Sequence, residues 1–207
     1  MCRQNESSLW DHVIVVTNRK IARLPFLEQV ELVCIQKPKA LILREKDLEE
    51  KEYRKLGRAV KDICKAYQVP CYYHTYAETA REERAQGLQL SLTNLRSLRL
   101  SYPGQEDWEN WKGKGMVTGC SVHSLSEALE ARNLGADYLI AGHIYATNCK
   151  KGLPPRGTDF LRAICSNLSI PVYGIGGISL EREQIGEVLD CGAQGACVMS
   201  GAMEFSP

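Results

Sequence analysis

No apolar run in this chain approaches the roughly 18 residues that a helical membrane span needs, which excludes such a span. The opening residues Met1-Cys2-Arg3-Gln4-Asn5-Glu6 lack the apolar core of a secretory signal. Neither sign of charge dominates. Lysine and arginine number 26 against 25 acidic residues, for a net charge of +1, so no basic footprint for nucleic acid or for an anionic membrane is present. Cys-x-x-Cys pairs are absent although the chain holds nine cysteines, an odd number. Scattered through apolar runs (Cys34, Cys64, Cys165, Cys197), they read as small buried hydrophobes in a reducing compartment, not as a disulfide frame or a zinc site. Also missing is a glycine-rich turn after the first apolar run, where Thr17-Asn18-Arg19-Lys20 stands. That counts against a doubly wound dinucleotide-binding sheet. These absences point to a cytoplasmic protein of one domain, 1–207, with length for one substantial core but not two.

What is present is a strict alternation. Short β-branched or aliphatic runs fall near His12–Thr17, Ala40–Arg44, Pro70–Tyr73, Leu88–Ser91, Met116–Cys120, Tyr138–Ala141, Val172–Ile175 and Ala196–Met199. Such runs are expected of parallel strands buried on both faces. Helical patterns lie between them, clearest at Leu48–Gln68, with further helices at Thr158–Leu168 and Leu180–Leu189. Ser124-Leu125-Ser126-Glu127 fits a capping box and starts a helix directly after His123. Eight strand–helix units predict an α/β fold of the (β/α)8 barrel type. Leu92–Gly115, with Trp108 and Trp111, is the least regular stretch and is expected to hold one short helix and a surface loop. The eighth helix is expected to be short or missing, which leaves a flank for a neighbouring copy of the chain, as in a homo-oligomer.

In such a barrel the chemistry sits at the C-terminal ends of the strands. Three of the four histidines, His74, His123 and His143, fall where a strand-like run ends. His123 is the leading catalytic candidate, because the positive end of the following helix disfavours imidazolium and leaves a base. His143, one strand over, is a candidate substrate contact. A metal site from the three would draw on different strands with no local ligand spacing, so no metal is expected. Gly176-Gly177 after strand seven and Ser200-Gly201 after strand eight occupy the usual phosphate loops of barrels. Arg44-Glu45-Lys46 after strand two has the charges to hold a carboxylate or a pyrophosphate. From spacing alone a solvated loop is the simpler reading there, and likewise for Lys150-Lys151.

Taken together, Gly119-Cys120-Ser121-Val122-His123-Ser124-Leu125, Gly135-Ala136-Asp137-Tyr138, Gly142-His143-Ile144-Tyr145, Lys150-Lys151-Gly152-Leu153, Gly174-Ile175-Gly176-Gly177-Ile178 and Val198-Met199-Ser200-Gly201 resemble the thiamine phosphate synthase/TenI superfamily, TenI branch. The match is dense from Gly119 to Ala202. Over Val13–Leu90 it is looser, resting on Val16-Thr17-Asn18 and Leu43-Arg44-Glu45-Lys46. The resemblance implies a thiazole tautomerase, an isomerase that aromatises a thiazole carboxylate phosphate in thiamine synthesis. His123 would be its acid/base, and Gly176, Gly177, Ser200 and Gly201 would hold the phosphate. Arg44, Lys46, His143 or Lys150 would face the rest of the ligand, with a small thiazole phosphate as the partner and no cofactor. The synthases of the superfamily carry an Asn-Asp pair after strand three and an aspartate after strand four for magnesium. Here those places read His74-Thr75 and Leu92-Thr93-Asn94, which favours the metal-free branch. A thiamine phosphate synthase-like transferase and a non-catalytic thiazole-phosphate-binding regulator are the other two readings.

Overall fold

Eight short strands pair in one direction and close on themselves in sequence order. They are β1 (Val13–Val16), β2 (Ala40–Leu43), β3 (Cys71–His74), β4 (Gly87–Ser91), β5 (Val117–Val122), β6 (Tyr138–Gly142), β7 (Val172–Ile175) and β8 (Gly195–Val198). The computed structural model describes residues 8–150 and 152–207, the side chain of Cys149 excepted. The readings made for Met1–Glu6 and for Lys151 therefore lie outside the described residues. The helices are α1 (Phe26–Ile35), α2 (Glu50–Ala66), α3 (Ala77–Glu82), α4 (Leu92–Ser101), α5 (Gln105–Lys112), α6 (Leu125–Asn133), α7 (Gly157–Asn167), α8 (Arg182–Asp190) and α9 (Ser200–Met203). This is a single (β/α)8 barrel. Among the described residues no helix is long and apolar enough to cross a membrane.

The strands read as unbroken apolar runs because each is covered twice. Ile14, Val16, Ile42, Ile140 and Cys197 point into the barrel, while Val13, Val15, Leu41 and Leu43 point out against the helices. Tyr72, Tyr138 and Tyr173 pack against one another inside, with ring centroids 5.9 Å apart in each contact. Glycine makes room for them. A Cβ at Gly87 would lie 2.5 Å from the Tyr72 ring, and one at Gly119 would overlap Tyr138 and Gln89. Large rings on some strands thus require bare backbone on their neighbours. The cysteines behave as small hydrophobes: Cys34, Cys64 and Cys197 are buried, Cys165 is half-buried, and all are free thiols.

The segment from Leu92 to Gly115 departs from expectation. It forms two helices, α4 and α5, instead of one and a surface loop. The reason is burial of both tryptophans. Trp108 and Trp111 stack with centroids 5.2 Å apart, and Arg99 lies 5.0 Å over the Trp108 ring. Such aromatic and cation–π contacts order a stretch whose sequence periodicity is weak. The last helix, α9, has four residues, as expected of a short one. Its flank is tied down by the chain itself. The Gln29 amide Nε2 donates to the carbonyls of Ala202 (3.1 Å) and Phe205 (3.0 Å), and Phe205 packs edge-on against Trp10.

Glycine packing gives a direct test. Gly119→Ala is expected to lower the unfolding free energy by about 1–3 kcal/mol through overpacking. Gly186→Ala, whose methyl group meets open space in α8, is expected to raise it by up to about 1 kcal/mol. Urea denaturation of the two variants beside the parent measures both.

Candidate active site

All eight strand ends converge on one rim, and there a cavity of about 880 Å³ opens. It brings together Arg44, Lys46, His74, His123, His143, Lys150, Gly176, Gly177, Ser200 and Gly201, every described residue that the sequence singled out. Arg44-Glu45-Lys46 and Lys150, for which spacing alone gives solvated loops, both line the cavity, with Lys46 and Lys150 exposed. No linear spacing could show that, because the two loops are brought together only by barrel closure.

His123 follows β5 and precedes α6. Ser124 accepts a hydrogen bond from the Glu127 amide (3.1 Å), and the Glu127 carboxylate accepts one from the His123 amide (2.6 Å). The start of the helix thus fixes the His123 backbone. Its ring is fixed from the other side, Nδ1 lying 2.8 Å from the Gly142 carbonyl oxygen. A carbonyl only accepts, so Nδ1 carries the hydrogen and Nε2 is the nitrogen left to exchange a proton. His143 is nearly buried, with Nε2 3.4 Å from the Leu153 carbonyl. It supports the loop after β6 as well as lining the cavity.

Gly176 and Gly177 both have positive φ, 102° and 68°. A Cβ at either would run into the loop after β6, against His143 and Tyr145. Glycine is thus required by packing as well as by backbone conformation. The amides of Gly176 and Gly177 donate to no group among the described residues, and both residues line the cavity.

Across the cavity stands a cluster of cations. Burial, together with the neighbouring charges of Arg44 and Lys150, pushes the Lys46 ammonium below its usual pKa. His74, at the end of β3, is pushed down to about 3 by burial and by the charges of Arg44 and Lys46. Mutual repulsion of this kind is relieved by a bound anion. The loop after β2 is held to the loop after β1 by a carboxylate that the sequence did not single out for that purpose. Glu45 is buried and accepts from the Thr17 hydroxyl (2.7 Å), the Arg19 amide (3.1 Å) and the Arg19 guanidinium (3.1 Å). Arg19 also grips Asp47 at 2.6 and 2.8 Å, holding its carboxyl well below the usual carboxylate range together with Lys20.

Among the described residues that line the cavity, no pair of carboxylates suited to a hard cation is found. After β3 and β4 the cavity presents His74, Thr75, Ser91 and Asn94. Glu45, the carboxylate among its described lining residues, already serves Thr17 and Arg19. Among the described residues no group of three His, Cys, Asp or Glu is placed to hold a metal ion. The side chains present do not fit the magnesium that the superfamily's synthases use.

The fold and the cavity define a class, the (β/α)8 barrels with a glycine loop and side-chain cations on one rim. The comparisons narrow that class. The family model described as "Thiamine monophosphate synthase" matches residues 13–202, so this chain belongs to the thiamine monophosphate synthase/TenI family. It is 30% identical to the thiamine-phosphate synthase of Coprothermobacter proteolyticus over 91% of this chain and 85% of that one. It is 32% identical to thiamine-phosphate synthase 2 of Streptococcus pneumoniae over 92% and 86%. The solved thiamine phosphate pyrophosphorylase of Pyrococcus furiosus superposes with a TM-score of 0.77 at 27% identity, covering 96% of this chain and 90% of that one. These relatives overturn the isomerase class that the TenI resemblance implied, because synthases of this kind are transferases.

His74 yields a prediction of its own. An unfolded histidine titrates near 6.5, and the folded one titrates near 3. Between those values the unfolded chain takes up a proton that the folded chain refuses. Stability is therefore full above about pH 6.5 and falls as the pH drops toward 3. His74→Gln is expected to make that fall shallower, read from urea midpoints at about pH 7 and about pH 4.5.

Proposed function

We propose that this chain is a thiamine phosphate synthase-like transferase, which joins the methylene carbon of a pyrimidine diphosphate to the ring nitrogen of a thiazole phosphate. The carbon–nitrogen bond forms as the carbon–oxygen bond to the diphosphate breaks, and inorganic diphosphate leaves. One observation carries the reading: a single cavity is lined both by three cationic side chains, Arg44, Lys46 and Lys150, and by the glycine loop of Gly176 and Gly177. Arg44, Lys46 and Lys150 suit the diphosphate, whose oxygens accept charge-assisted hydrogen bonds. The free amides of Gly176 and Gly177, with Ser200 and Gly201 beside them, suit the phosphate of the thiazole. His123 stands on the same rim with Nε2 free to accept a hydrogen bond from the bound ligand, and so positions it for the displacement. His143 sets the wall against which the ligand lies. The cytoplasmic placement expected from the sequence goes with this reading.

A second reading is a thiazole-phosphate-binding regulator with no turnover. It is favoured by the one departure just described, the absence of carboxylates from the ends of β3 and β4.

Incubation with the thiazole phosphate and hydroxymethylpyrimidine diphosphate decides between the two. Thiamine phosphate and inorganic diphosphate are expected in equal amounts. Ligand binding without either product would replace the transferase by the regulator. Lys46→Met is expected to raise KM for the diphosphate substrate at least about tenfold. His123→Ala is expected to lower kcat about a hundredfold through lost positioning of the ligand, while leaving diphosphate binding intact.

A further inference from the structure

The end of β3 is where this chain parts most sharply from a metal-dependent diphosphate site, and it is not loosely built. The Tyr53 hydroxyl accepts from the His74 amide (2.8 Å) and donates to the Leu43 carbonyl (2.7 Å). One buried hydroxyl thus locks the end of β3 to the end of β2, directly before Arg44. The imidazole of His74 is fixed in turn. Its Nδ1 lies 2.7 Å from the Thr75 hydroxyl, and Nε2 has no partner among the described residues. The cations of Arg44 and Lys46 act on the ring, and all of these groups line the cavity with Lys150.

We infer that His74, with Arg44, Lys46 and Lys150, forms a diphosphate subsite that needs no divalent cation, the imidazole giving Nε2–H to an oxygen of the anion. The inference rests on the transferase reading for the identity of the anion. The physical reason is the sign of the group after β3. A carboxylate there repels a diphosphate unless a metal ion lies between them. An uncharged imidazole does not repel it, and it offers a donor once the Thr75 hydroxyl donates to Nδ1. Burial, and then the neighbouring cations, keep the ring from taking a second proton, so it stays a hydrogen-bond donor without adding to the repulsion among Arg44, Lys46 and Lys150. The three side-chain cations then supply the neutralisation that a metal supplies elsewhere, and they do so bonded directly to the anion.

The test is calorimetric titration of the whole protein with inorganic diphosphate, once in a chelating buffer and once with excess magnesium. The parent is expected to bind in the chelator at least as tightly as in magnesium, because the metal competes for the same oxygens. His74→Asp is expected to lose at least about tenfold in affinity in the chelator and to recover it when magnesium is added. His74→Gln, which keeps a donor and no charge, is expected to stay metal-independent, and thermal melts establish that both variants are folded. Parent protein that binds diphosphate only with magnesium overturns the inference, and so does diphosphate binding in neither buffer. His74→Asp that binds in the chelator as the parent does also overturns it. Diphosphate binding in the chelator without formation of thiamine phosphate strikes the transferase reading and leaves this subsite standing.

Discussion

The seam between β1 and β8 is the pairing on which the rest depends. Val13, Ile14 and Val15 run beside Ala196, Cys197 and Val198 in parallel register. Without that ladder the first and last strands are open edges with unsatisfied backbone groups. With it, eight strand ends are forced into a ring, and loops far apart in the chain face one another. The glycine loop after β7 then lies across one opening from the charged loop after β2. Neither loop is a site alone. Residues 44–46 and 176–177 become parts of one cavity only because residues 13 and 196 are neighbours.

Inside the ring, shape decides sequence as firmly as polarity does. The rings of Tyr72 and Tyr138 occupy space that Gly87 and Gly119 leave bare. The floor is filled by aromatic rings and the rim is left for polar groups. That division explains how a narrow barrel keeps both a dense core and a ligand cavity. The rim in turn is electrostatically uneven: side-chain cations gather at β2 and the loop after β6, and uncharged backbone donors gather after β7.

Much of this was legible before any coordinates. The continuous apolar runs gave the strands to within a few residues, because buried parallel strands carry no alternation to misread. Ser124 and Glu127 announced α6, and glycine pairs after apolar runs marked the loops of β7 and β8. Two things were hidden. The first was the pair α4 and α5, whose order comes from stacked tryptophans and an overlying arginine, contacts that leave no helical period in the sequence. The second was the role of Glu45. Its partners Thr17 and Arg19 lie 28 and 26 residues away in the chain, and only strand pairing joins them. The reaction class was not legible for a different reason: the metal-free look of the β3 end is a local feature, whereas the relatives over nine-tenths of the chain are synthases.

The clamp of Arg19 on Glu45 and Asp47 bears on how quickly a ligand can be captured. It welds the loops after β1 and β2 into one body, so the residues between them have surrendered their rotational freedom before any encounter. An arriving anion then meets a surface that requires little ordering, and its association is governed by diffusion and attraction more than by rearrangement. Loosening that weld would slow capture even if every side chain touching the anion were left in place.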